Sequence, residues 1–178
     1  DEFTTTSAVA SVTIGGGSSG SSGLNASIDS TYDVYMVAYS NVGTSTDGRN
    51  VCVRVTKSGS ADTTANYDDA KKYLKSGSAF SNISNTNATQ IDFTATIDSG
   101  VSASNGNGVA YLFNFANASE YSFVTIESTH FQYSDNEGRG FAGGFVHTVA
   151  SASDGVLFKT NGGNNITLGN FTLYGLKK

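Results

Sequence analysis

The segment VCVRVTK, residues 51–57, alternates apolar and polar side chains without a break. Val51, Val53 and Val55 fall on one side; Cys52, Arg54 and Thr56 fall on the other. A period of two marks a strand with one face buried. IDFTATI, residues 91–97, repeats the pattern through Ile91, Phe93, Ala95 and Ile97. DVYMVAYSN (33–41) and VAYLFNF (109–115) are apolar on both sides, as central strands of a packed sheet are. AVASVTI (8–14), YSFVTIES (121–128), HFQYS (130–134), FAGGFVHTV (141–149), GVLFK (155–159) and NFTLYGL (170–176) complete the set. The Asp47-Gly48 turn is expected to join residues 33–41 and 51–57 as a hairpin. One stretch changes period. In ANYDDAKKYLKSG, residues 65–77, Tyr67, Ala70 and Leu74 fit a short helix that Gly77 ends. The chain therefore reads as all-β: an antiparallel, jelly-roll-like β-sandwich of nine or ten short strands with one short helix.

Composition supports this. Charged residues make up 14% of the chain, against about 25% in an average protein. Gly, Ser, Thr and Asn fill the deficit, and no proline is present, so turns rest on Gly, Asn and Asp. A net charge of −5 argues against nucleic acid, whose binding needs clustered Lys and Arg. Lys71, Lys72 and Lys75 sit beside Asp68 and Asp69 and read as a solvated face. The single cysteine excludes an internal disulfide. No apolar run reaches the roughly 18 residues of a membrane span. GGGSSGSSG, residues 15–23, reads as a flexible surface segment. Residues 1–23 are expected to form an N-terminal strand plus this arm, and residues 24–178 the sandwich, one domain in all. The start at Asp1 points to a processed or incomplete N-terminus.

Motifs for chemistry are sparse. There is no G-x-S-x-G elbow, no H-E-x-x-H and no paired-cysteine spacing. His147 shares a strand face with Phe145 and Val149 and reads as structural, and Cys52 as inert between valines. Glu120, Glu127 and Glu137 sit in no motif that would make them an acid–base pair. No catalytic residue, cofactor or metal site is expected. The tip YSDNEGRG places Tyr133, Asp135, Asn136, Glu137 and Arg139 together, an aromatic face beside planar hydrogen-bonding groups. These five are the candidate glycan contacts.

The stretch IDSTYDVYMVAYSNVGTSTDGRNVCVRV, residues 28–55, resembles one found in small virion proteins of tailed bacteriophages, above all marine and environmental ones. The shared parts are an I-D-S-T-Y-D-x-Y strand at Ile28–Tyr35, a T-D-G turn at Thr46–Gly48 and an alternating strand at Val51–Val55. A strand end with a short polar loop, Phe113–Tyr121, and a last segment ending F-T-L-Y-G-x-K, within Asn164–Lys177, are also similar. The Gly/Ser insert at 15–23 departs from the pattern and suggests a loop reaching a neighbouring subunit. The resemblance implies a non-enzymatic jelly-roll-like protein on the particle exterior, complete at its C-terminal end. It would be a capsid decoration protein or tail-appendage subunit, with copies of itself and other virion proteins as partners. The alternative is a carbohydrate- or receptor-binding module that contacts host cell-surface glycans.

Overall fold

The computed structural model describes residues 1–16 and 22–177. The middle of the Gly/Ser arm, residues 17–21, lies outside the described residues. Fourteen strands occur among those described: β1 Glu2–Thr4, β2 Ser11–Gly15, β3 Gly23–Leu24, β4 Val34–Thr44, β5 Val51–Lys57, β6 Ser60–Ala61 and β7 Tyr67–Lys75, then β8 Ser81–Ala88, β9 Ile91–Asp92, β10 Gly106–Phe113, β11 Ser122–Gln132, β12 Glu137–His147, β13 Gly155–Thr160 and β14 Ile166–Leu176. They form two sheets of a jelly-roll-like sandwich. The large sheet runs β1-β14-β4-β10-β11-β12-β7-β8, and the small one β3-β2-β13-β5-β6, with β9 also paired to β5. All pairings are antiparallel except β2 with β3.

Alternation decides which side chains meet between the sheets. Val51, Val53 and Val55 of β5 and Val12 and Ile14 of β2 are fully buried. They face Tyr39 of β4, Leu112 of β10, Ile126 of β11 and Phe171 of β14, all buried too. Ile91, Phe93, Ala95 and Ile97 all point inward as expected, although only Ile91 and Asp92 pair as a strand.

Four expectations are corrected. Residues 65–77 are not a helix: Tyr67–Lys75 is a strand between β12 and β8, and the only helical turn described is a 3₁₀ turn at Ser102–Ser104. Residues 33–41 and 51–57 do not form a hairpin, because β4 lies in the large sheet and β5 in the small one. The TDGRN turn crosses the sandwich. Residues 121–134 hold one strand rather than two, β11, which pairs along its whole length with β12. The expected polar side of β5 is partly covered: Cys52 and Thr56 are fully buried. Cys52 Sγ donates to the Lys159 carbonyl, and Thr56 Oγ1 donates to Asp154. Burial pushes the Cys52 thiol up to about 12. The expected N-terminal strand exists as β2, but β1 precedes it, and both pair within the chain, β1 with β14 and β2 with β13.

The final strand is internal. β14 lies between β1 and β4, and Gly175 and Leu176 pair with Tyr35 and Val34. The strand expected at Ile28–Tyr35 begins only at Val34, after a turn over I-D-S-T-Y-D, and it is this strand that neighbours the F-T-L-Y-G segment. A Cβ at Gly175 would collide with the ring of Tyr32, which packs edge-on to Tyr35 at 5.6 Å. Only glycine fits under that ring.

Two buried histidines add a pH dependence. His130 Nε2 donates to the Thr96 carbonyl at 2.9 Å, and His147 Nε2 donates to Asp62 Oδ2 at 3.0 Å. Each Nδ1 is buried with no partner among the described residues. Protonation would bury an unpaired N–H, and burial accordingly lowers the pKa of both from 6.5. Burial alone would raise Asp62, but hydrogen bonds from Thr64, Lys57 and His147 reverse this and hold its carboxyl far below the usual range.

Two outcomes follow. Deleting Phe171–Leu176 removes a strand from inside the sheet and should leave no cooperative thermal transition; a truncated protein melting like the full chain would make the strand peripheral. Because both histidines titrate lower in the fold than unfolded, their contribution is complete above about pH 6.5 and falls as pH drops toward the folded values. Melting temperature should drop between pH 7.5 and 5, and less so in His130→Gln, whose amide can still donate to Thr96.

Candidate functional site

The large sheet is eight strands wide and the main path of the small one five. At the β7–β8 end of the large sheet, β9, the segment that follows it and Asn50 border a cleft of about 510 Å³. The inward side of β7 reads Tyr67, Asp69, Lys71, Tyr73, so two charges point between the layers. Asp69 and Lys71 form an ion pair at 2.9 Å with side chains 1% and 2% exposed. Lys71 Nζ also donates to the Asp92 carbonyl of β9 at 3.0 Å and lies 5.0 Å from the Phe141 ring centre. One ammonium thus ties the large sheet to the small one.

Two carboxylate–carboxamide pairs stand on opposite walls. Asn85 of β8 donates to Asp69 Oδ1 at 2.7 Å, and Asn50, just before β5, donates to Asp92 Oδ2 at 2.7 Å. The Asn50 Oδ1 atom is buried and without a hydrogen-bond partner. Burial raises the Asp92 carboxyl, with Asn50 and Lys71 opposing. Tyr73 and Phe141 meet edge-on at 5.2 Å and form the apolar wall.

The five candidate contacts of the β11–β12 tip separate. Tyr133 is exposed at 62%. Asn136 sits in the left-handed region at φ 53°, which turns the hairpin. Asp135 and Glu137 both bind Arg139, Glu137 at 2.8 Å, and the Glu137 Oε1 atom accepts from Gly77 N. Arg139 turns inward, donates to Thr96 and Gln132, and lines the cleft. The tip's ionic groups are therefore paired with one another, and Arg139 links the tip to the cleft. Asp69, Lys71, Asn50, Asn85 and Asp92 were missed from the sequence. Asp69 and Lys71 stand two residues apart, a signal that becomes visible only if residues 67–75 are read as a strand. Among the described residues no group of three or more His, Cys, Asp or Glu is placed to hold a metal ion. Among the described residues no helix is long and apolar enough to cross a membrane.

The outer side of the same sheet is different. Register aligns Leu176, Val34, Phe113, Phe123 and Val146 in one row across β14, β4, β10, β11 and β12. Tyr174, Met36 and Tyr111 form the next row. Phe123 is 44% and Tyr174 45% exposed. Five strands at about 4.8 Å spacing make this stripe about 19 Å wide. It carries no charge until Asp68, beside Val146 on β7.

Fold and site together define a jelly-roll-like β-sandwich with an apolar outer sheet face and a polar cleft at one edge. Comparison with protein-family models, with curated proteins and with solved structures returns no match.

The cleft yields a stability test. Lys71→Met strands Asp69 in a dry site and should lower unfolding free energy by about 3–5 kcal/mol. Adding Asp69→Leu should restore most of it. Urea denaturation reads both; a double variant as weak as the single would show that Lys71 acts through Asp92 rather than Asp69.

Proposed function

We propose that this protein is a non-enzymatic structural component of a tailed-bacteriophage particle. It is displayed on the particle exterior, as a capsid decoration protein or a tail-appendage subunit, and works as a homo-oligomer. The observation that carries this reading is the apolar stripe on the outer face of the large sheet. A contiguous apolar patch on a soluble protein marks an interaction surface. This one has the composition of an oligomer interface core, aromatic and Met side chains without charge. A face built from one sheet also suits two-fold self-association, in which the same patch serves both copies. The resemblance of residues 28–55 and 164–177 to virion proteins supports the particle as the setting, and β4 and β14, which come from these two segments, are adjacent strands of the sheet that carries the stripe.

The groups that most often do covalent chemistry are occupied. Cys52 is buried, both histidines are hydrogen-bonded in the interior, and Lys71 is held by Asp69. This favours a structural role over an enzymatic one.

Light scattering on the purified chain is the test. The wild type should run as a dimer or higher oligomer. Phe123→Asp with Tyr174→Asp should run as a folded monomer, because a charge buried without a partner disfavours the interface. A wild type that is monomeric at high concentration, and absent from purified particles by mass spectrometry, would overturn the proposal.

A further inference from the structure

The cleft beneath β7 and β9 is a second, separate surface, and it has the features of a small-ligand site. Its volume of about 510 Å³ falls in the range of about 300–1,000 Å³ typical of such sites. Its floor is fixed by the Asp69–Lys71 pair, both nine-tenths buried, so its groups are pre-positioned rather than mobile. Keeping a charged pair in the interior is not a stabilising choice in itself, since well-packed apolar residues often do as well or better.

We infer that this cleft binds a neutral, hydroxyl-rich ligand of the saccharide class, held between the Asp69–Asn85 and Asp92–Asn50 pairs.

Charge balance selects against ions. Lys71 offsets Asp69, Arg139 is paired with Asp135 and Glu137, and Lys71 and Lys159 lie close enough to Asp92 to oppose its negative charge. What the walls offer beyond charge is paired planar hydrogen-bonding groups. Each asparagine spends one amide hydrogen on its aspartate and keeps a second, together with its carbonyl oxygen. Asn50 Oδ1 is buried and unpartnered, an acceptor that a ligand hydroxyl would satisfy. A hydroxyl both donates and accepts, so neighbouring hydroxyls on a ring match a carboxylate–carboxamide pair. Tyr73 and Phe141 supply the apolar wall for the C–H face of the ring. The inference stands independently of the assembly role, because the outer stripe uses none of these residues.

Two-dimensional ¹⁵N NMR of the full chain tests it, with glucose, galactose, mannose, N-acetylglucosamine and their common disaccharides as probes. At least one should shift the side-chain amide signals of Asn50 and Asn85 in a saturable way. Asn85→Ala, on the exposed edge strand, and Asp92→Asn should each weaken that binding about tenfold or more while the remaining spectrum stays folded. Inorganic phosphate and ammonium should leave the same signals in place. No response to any sugar, a response that both variants retain, or shifts confined to the Tyr133 tip would overturn it. Failure here leaves the oligomer test untouched, so the two readings fail separately.

Discussion

Phe158 of β13 and Phe93, just past β9, meet edge to face with ring centres 5.6 Å apart, and the sandwich is organised around that contact. Tyr39 of β4 lies against both, at 5.6 and 6.1 Å. Phe171 of β14 packs on Phe158 at 5.0 Å, Phe145 of β12 on Phe93 at 6.3 Å, and Tyr67 of β7 on Phe145 at 6.0 Å. Three rings from the large sheet thus close on two from the opposite layer, and Tyr67 extends the seam through Phe145. Each buries about 150–250 Å² and prefers tilted or edge-on neighbours, so the seam sets both separation and registry of the layers. It also fixes where the core ends. Beyond Tyr67 the large sheet continues along β7 and out to β8 while the small sheet has run out, and an apolar filling would have nothing to pack against. Ions and amides take its place, and the cleft results.

The same geometry explains what the sequence shows and what it hides. Strands whose inward residues are all apolar were legible: β5, the C-terminal part of β14 and the segment at 91–97 announce themselves by alternation. The β7 strand does not, because its inward side is Tyr-Asp-Lys-Tyr. Two charges at core positions break the period of two, and the remaining apolar residues then mimic a helical spacing. Its neighbour β8, SNISNTNA, is an edge strand with mostly exposed side chains, so neither face carries an apolar pattern. Polar edges of this kind discourage pairing with other chains. The two longest strands that escaped the sequence reading, β7 and β8, both line the cleft. Local rules fail where a site overrides them.

The candidate contacts show a related limit. Of the grouped residues Tyr133, Asp135, Asn136, Glu137 and Arg139, three meet, Arg139 with Asp135 and Glu137, but in a direction the sequence did not show. Alternation along β12 sends Arg139 inward with Phe141. Its charge then pulls Asp135 and Glu137 toward itself instead of leaving them open to a ligand. Likewise Lys72 is a solvated lysine, bonded to Asn82 at the edge, whereas Lys71, one residue earlier, is a buried one. A run of charges on a strand divides between two faces, and composition alone cannot say which residue goes where.

That division is what lets one sheet carry two surfaces. On β7, Asp69 and Lys71 face the cleft, while Asp68 and Lys72 flank the apolar stripe on the other side. The stripe lies flat on the outer face of the sheet. The cleft is set between the layers and is reached from the β8 edge. A partner packed on the stripe meets side chains of opposite parity and leaves the cleft's mouth free. An oligomer formed through the stripe would therefore present one cleft per copy, all held at fixed spacing. Ligand contacts too weak to matter singly gain from such an array, because each later contact forms within one assembly rather than from free solution. On the proposed reading the apolar stripe and the polar cleft would be complementary parts of one design rather than rival explanations of the same fold.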